Sequence, residues 1–236
     1  MTDLLHNPVF SALARNESHR AFGSEHVKYF DLEVSPFAGF NCDVETGFRE
    51  LHEMLPAGRR ILFATPEEID IPNAWKLKAE IKGLQFVYRN DVMPANPVIE
   101  PEPLNESHVD EMVALAALTK PGPFNKRTIE FGHYHGIFED GRLAAMTGQR
   151  LHIDNLTEIS AVCTHPDFTG KGYAAALLLH QLHIILSNNQ LPFLHVRADN
   201  KRAIEIYERL GFEENREMNF YFLERQTGEK NVKICK

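Results

Sequence analysis

"DFTGKGYAAALLLHQ" (residues 167–181) sets two glycines one residue apart, with a lysine between them, directly ahead of an apolar run. Gly170 and Gly172 reach positive φ at no steric cost and let a ligand approach the backbone closely. The run behind them favours a helix. A helix N-terminus carries four unpaired N–H groups and partial positive charge. Together these make an anion site, usually for phosphate. The plainer reading is a loop that starts a buried helix, and the two glycines alone leave both readings open. The stretch is not a Walker A loop. The first glycine and the four-residue spacing are missing, and Tyr173 stands where the magnesium-binding Ser or Thr would be.

Working outward, "LTEISAVCTH" (156–165) reads as a strand and the glycine-opened helix runs to about Ser187. "FLHVRAD" (193–199) reads as a second strand. This is a βαβ unit, so its two strands should be parallel and buried. Simple alternation puts Glu158, Ser160, Val162 and Thr164 on one face of the first strand, and Ile159, Ala161 and Cys163 on the other. A glutamate on so apolar a strand sits either at a solvated edge or where it has work to do. Residues 105–119 read as a helix, "KPGPFNKRT" (120–128) as a loop, and 133–153 as a hairpin around "EDGR". "NKRAIEIYERLGF" (200–212) reads as a helix stopped by Gly211, and 218–225 as a last strand.

The first half alternates strand and helix signals. Strands are expected over 26–34, 59–65 and 84–90. Helices are expected over 46–55, with Thr46 as N-cap, and over 72–83, which opens on proline and closes on glycine. "DVMPANPVIEPEPLNES" then carries four prolines and reads as a linker. It divides the chain into an N-terminal α/β domain, 1–96, and a second domain, 97–236.

Composition narrows the class. The chain has 236 residues, 43% hydrophobic and 25% charged, as in a soluble globular protein. No run of 18 apolar residues is present, and the opening "MTDLLHNPVFSALARNE" has no basic region followed by an apolar core. A formal charge of −8 disfavours nucleic acid or an anionic membrane as the main partner. Cys42, Cys163 and Cys235 are far apart and lack CxxC spacing, which points to a reducing cytoplasm. Among the twelve histidines, neither His180 and His183 nor His133 and His135 has an acidic or cysteine partner at ligand spacing, so no metal is expected.

"EISAVCTHPDFTGKGYAAALL" followed by "VRADNKRAIEIYERLGF" resembles the GNAT superfamily of acetyl-CoA-dependent N-acetyltransferases. The first stretch is similar to its pyrophosphate-binding motif, (Arg/Gln)-x-x-Gly-x-(Gly/Ala), filled here by Thr169, Gly170, Lys171, Gly172, Tyr173 and Ala174. The second is similar to Asn-x-x-Ala-x-x-x-Tyr-x-x-Leu-Gly-Phe, filled by Asn200, Ala203, Tyr207, Leu210, Gly211 and Phe212. The likeness covers about residues 100–225. It implies an α+β fold with a mixed sheet: a GNAT-like acyl-CoA N-acyltransferase fold in the C-terminal half. The N-terminal half is compatible with a reduced copy of the same fold, as in two-domain members related to glycine N-acyltransferase.

The resemblance further implies an enzyme moving acetyl from acetyl-CoA to the amine of a small molecule, amino acid or peptide N-terminus, as a monomer or homodimer. The cofactor residues it implies are Val162, Cys163, Thr164, Thr169, Gly170, Lys171, Gly172, Tyr173, Ala174, Ala175, Asn200 and Ala203. A backbone N–H near Val162 would polarise the acetyl carbonyl. Tyr207 would be the acid for the departing thiolate. Glu158 would be the base, with ordered water, His152 and His133 as the alternatives. Thr169 departs from the motif's Arg or Gln; its hydroxyl and the Lys171 charge are the available replacements. "VSPFAGFN" (34–41) and "KPGPF" (120–124) are either substrate walls or ordinary packed turns. A non-catalytic acyl-CoA sensor is the alternative function.

Overall fold

In chain order the elements are α1 (Pro8–Leu13), β1 (Phe22–Gly23), β2 (Val27–Tyr29), β3 (Phe37–Phe40), α2 (Val44–Met54), β4 (Arg60–Thr65), β5 (Trp75–Tyr88), β6 (Glu102–Pro103), α3 (Val109–Thr119), β7 (His135–Glu139), β8 (Arg142–Ile153), β9 (Leu156–Thr164), α4 (Tyr173–Ser187), β10 (Leu191–Arg197), α5 (Lys201–Leu210) and β11 (Phe212–Arg225). They belong to a computed structural model that describes residues 3–90 and 92–227. Cys235 lies outside the described residues.

All eleven strands join in one mixed sheet, in the order β1-β2-β3-β4-β11-β5-β10-β9-β8-β7-β6. The α+β expectation holds. The proline-rich segment separates β5 from β6 in sequence, yet the sheet is hydrogen-bonded on both sides of it. β5 lies between β10 and β11, and β11 lies between β5 and β4. Consecutive residues of β10 show the two faces. Phe193 packs with Val9, Leu13, Met112 and Met146, beneath α1 and α3. Leu194 packs with Ile159, Leu178, Leu182 and Tyr207, beneath α4 and α5. A third group, Phe40, Phe48, Phe63 and Trp75, holds α2 to the other end of the sheet.

Several sequence readings are corrected. Residues 72–83 are not a helix but lead into the first half of β5, paired along its length with β11. Trp75, Leu77, Ala79 and Ile81 alternate with Lys76, Lys78, Glu80 and Lys82. That is a period of two, the strand signal, which the flanking proline and glycine obscured. Asp43, not Thr46, caps α2: its carboxylate accepts from the Thr46 N–H at 2.9 Å. The strand expected over 26–34 is confined to Val27–Tyr29, and the one expected over 218–225 begins at Phe212.

Candidate functional site

The glycine loop folds as its composition asks. Gly170 and Gly172 have φ of 85° and 81°, and Gly172 is the left-handed residue on which α4 begins. No side chain caps the helix and no acidic residue occupies its first turn, so the N–H groups there remain free to face an anion. A Cβ added at either glycine would meet nothing within 4 Å, so the space over the loop is open. The flanking side chains are occupied. The Thr169 hydroxyl donates to Pro166 C=O at 3.1 Å. Lys171 and the Tyr173 hydroxyl both bind the Glu139 carboxylate, which the sequence reading did not single out. These contacts hold Glu139 below the usual carboxylate range, the Lys171 hydrogen bond most of all.

Beside the loop, β9 and β10 run parallel and then part. Their ladder ends at Phe193 opposite Glu158, and from Leu194 onward β10 pairs only with β5. The other edge of β9 stays on β8, with a register shift between Cys163 and Ser160. Ala161 sits at that shift with φ of 54°, a β-bulge. The bulge overturns the simple alternation of faces. Ile159 and Val162 both pack with the α4–α5 group, whereas Ala161 and Cys163 pack with the α1–α3 group. Burial pushes the Cys163 thiol up to about 11. The bulged strand therefore offers its backbone near Val162 to the gap between two strands that have separated.

Over the bulge lies a narrow basin lined by Pro121, Gly122, Pro123, Phe124, Thr128, Tyr134, Ser160 and Ala161. Of the two wall candidates, "KPGPF" thus faces the bulge. From "VSPFAGFN", Phe37 lies under the Arg150 guanidinium, 4.7 Å from ring centroid to Cζ. Tyr134 stands edge-on to Phe124 at 5.6 Å.

Glu158 is fully buried, not at a solvated edge. Arg150 forks onto it, Nε to Oε2 at 2.8 Å and Nη2 to Oε1 at 2.6 Å. His195 Nδ1 lies 2.7 Å from Oε1. Gln85 Nε2 reaches both His195 Nε2 and Leu5 C=O, each at 3.0 Å, and Asn215 donates to Gln85 Oε1 at 2.8 Å. Leu5 fixes the Gln85 amide with its nitrogen inward. His195 therefore accepts at Nε2 and carries its proton on Nδ1, towards Glu158. Burial alone would raise the Glu158 carboxyl. The Arg150 charge and the Arg150 and His195 hydrogen bonds outweigh it and bring the group to about 2. A carboxylate so held is a weak proton acceptor at neutral pH. The sequence missed Arg150, His195 and Gln85. The Asp154-Asn155 turn between Arg150 and Glu158 was the one local signal for the first of them.

The remaining candidates are placed as follows. Tyr207 is buried against Phe86 and Phe212, at ring distances of 6.3 and 6.0 Å. Burial pushes its phenol up to about 12, so it stays protonated at neutral pH. Asn200 caps α5 by accepting from Ala203 N–H at 3.3 Å. His152 is engaged by Glu17 and by Gln149. His133 is largely solvent-exposed, and the partial desolvation of its ring, with His152 nearby, lowers its basicity. No group of three or more metal-ligating side chains occurs among the described residues.

A profile of the family described as FR47-like protein matches residues 134–221. A stretch of 83 residues is 37% identical to mycothiol acetyltransferase from Mycobacterium sp. strain JLS, and equally to that from strain MCS. The match covers 32% of this chain and only 28% of those proteins. A solved structure ascribed to a GNAT-family acetyltransferase, from Novosphingobium aromaticivorans DSM 12444, superposes with a TM-score of 0.87 at 32% identity. It covers 94% of this chain and 99% of its own. A GCN5-related N-acetyltransferase from Kribbella flavida shares the fold, with a TM-score of 0.61 at 15% identity over 93% of this chain and 96% of its own.

Proposed function

Because this chain belongs to the GNAT family of acetyltransferases, we propose that it transfers an acetyl group from acetyl-CoA to the amine of a small molecule, amino acid or peptide N-terminus by direct attack. The observation that carries the reading is the uncapped N-terminus of α4, opened by two left-handed glycines beside the point where β9 and β10 part. The open space at Gly170 and Gly172 suits a pyrophosphate on the N–H groups of 170–175. Acetyl-CoA would supply an activated thioester.

In the transfer a C–N bond forms and the C–S bond breaks. The amine gives up a proton, and the thiolate takes one. A backbone N–H near Val162 supports the carbonyl oxygen as it gains charge. Tyr207, protonated and in the second motif, serves the thiolate. Glu158 is committed to Arg150 and His195, so we assign it to positioning. The amine's proton then leaves through water, one of the routes expected from the resemblance.

The test is thiol release from acetyl-CoA over a panel of amines. Turnover with any of them supports the reading. CoA binding in calorimetry with no thiol release from any of them would instead establish the sensor.

A further inference from the structure

Tyr134 is a buried side chain whose hydroxyl has no hydrogen-bond partner among the described residues. Its ring is seated flat on β8 at Gly148, where an added Cβ would fall 2.3 Å from the ring. Tyr134 belongs to the lining of the basin over the Ala161 bulge. As it stands the basin is too tight for water, so solvent cannot satisfy the group. An orphaned buried donor is costly, which makes it a site awaiting a ligand. A second donor lies close by. Arg150 spends Nε and Nη2 on Glu158, and its Nη1 makes no hydrogen bond among the described residues. That Nη1 lies 3.9 Å from where a Gly122 side chain would begin, and Gly122 lines the basin. The charged acceptor nearby and one hydroxyl of the lining are taken, whereas the Ser160 hydroxyl, also in the lining, makes no hydrogen bond among the described residues. Both Glu158 oxygens are bound, and the Thr128 hydroxyl donates to Val34 C=O while accepting from Asn125 N–H, each at 2.8 Å.

We propose that the Tyr134 hydroxyl and the Nη1 edge of Arg150 hold the carboxylate of the acceptor, so that the acceptor class is a free α-amino acid. This rests on the acetyl-transfer reading of the same site. Two unspent donors, one of them a guanidinium edge, and an apolar rim of Pro121, Pro123 and Phe124 suit an anion. They favour a carboxylate over its amide, because only the carboxylate brings a charge to the guanidinium. Entry requires the 120–124 loop to swing outward.

The experiment measures thiol release with matched triplets drawn from all the common α-amino acids: the acid, its amide and the decarboxylated amine. In the wild type the best acid should exceed its amide and amine in kcat/KM by about tenfold or more, the order of one hydrogen bond to a charged group. Tyr134→Phe should collapse that ratio towards one, mainly through KM for the acid. Its melting temperature should not fall, because the lost hydroxyl had no partner. Amides or amines used as well as acids would overturn the proposal, as would a Tyr134→Phe variant that melts earlier with an unchanged ratio. Silence of every compound removes the acetyl-transfer reading itself, and this proposal with it. Turnover in the wild type with no preference for the acid removes only the carboxylate site.

Discussion

Glu158 is a fully buried carboxylate whose ionised form survives because Arg150 and His195 surround it. Its folded value of about 2 lies below the 4.5 of an ordinary glutamate. Protons therefore favour the unfolded chain. The stabilisation is present above about pH 5 and is lost as pH falls towards 2. Glu158→Gln should cost about 3–5 kcal/mol at neutral pH, because Arg150 is left buried and unpaired. The gap to wild type should narrow as pH drops through that window. Melting curves from pH 7 to 2 check both. The same variant separates two mechanisms. With Glu158 in a positioning role, its pH–rate profile is lower than wild type but keeps its shape. Loss of a rising limb would restore Glu158 as the base. Tyr207 poses a simpler question. Tyr207→Phe should keep the packing against Phe86 and Phe212 and lower kcat by 10²-fold or more, with KM for acetyl-CoA little changed. Unchanged kcat, with chemistry shown to be rate-limiting, would leave Tyr207 as packing alone.

At the scale of elements, the α4 N-terminus carries the cofactor reading. Gly172→Val meets no clash but forces a β-branched residue into left-handed backbone and fills the open space. We expect CoA affinity to fall at least tenfold, about 1.4 kcal/mol, with the fold retained. Equal affinity in calorimetry would refute it. Glu139 bears on the same helix start from β7. It neutralises Lys171 beside the loop, as one would not want for an anion. Glu139→Gln should tighten CoA binding a few-fold at low ionic strength, and the gain should fade as added salt screens it. A gain that persists in high salt would mean that the freed Lys171 is not acting through charge.

At the scale of the molecule, the strand order is the controlling fact. β11 is the last described strand yet pairs with β4 and β5, both from before the proline-rich segment. β10 likewise leans on β5. A chain cut to 97–236 would leave β11 without either neighbour and expose the Leu223 and Met218 positions, both buried in the whole protein. We therefore expect the division near residue 97 not to be a folding boundary. The 97–236 fragment should lack a cooperative thermal transition, and the intact chain should show one. A fragment that melts cooperatively would make the segments independent domains.

Local readings were sound where the determinant was local. The α4 start lay open in Gly170 and Gly172, because positive φ is a property of single residues. The α5 stop at Gly211 and the hairpin around Asp140-Gly141 were open for the same reason, and the two glycine and asparagine motifs sufficed to suggest the family. What the tertiary structure alone decided lies between distant residues. Residues 75–82 are strand because β11 pairs with them, which overrides the punctuation at Pro72 and Gly83. The faces of β9 exchange at Ala161 because β8 imposes a register that leaves one residue over. Glu158 changed from a candidate base to a held anion because Arg150 and His195 come to it from β8 and β10, with Gln85 and Asn215 behind them from β5 and β11. A side chain's protonation follows the charges within a few ångströms, and sequence distance does not report which charges those are.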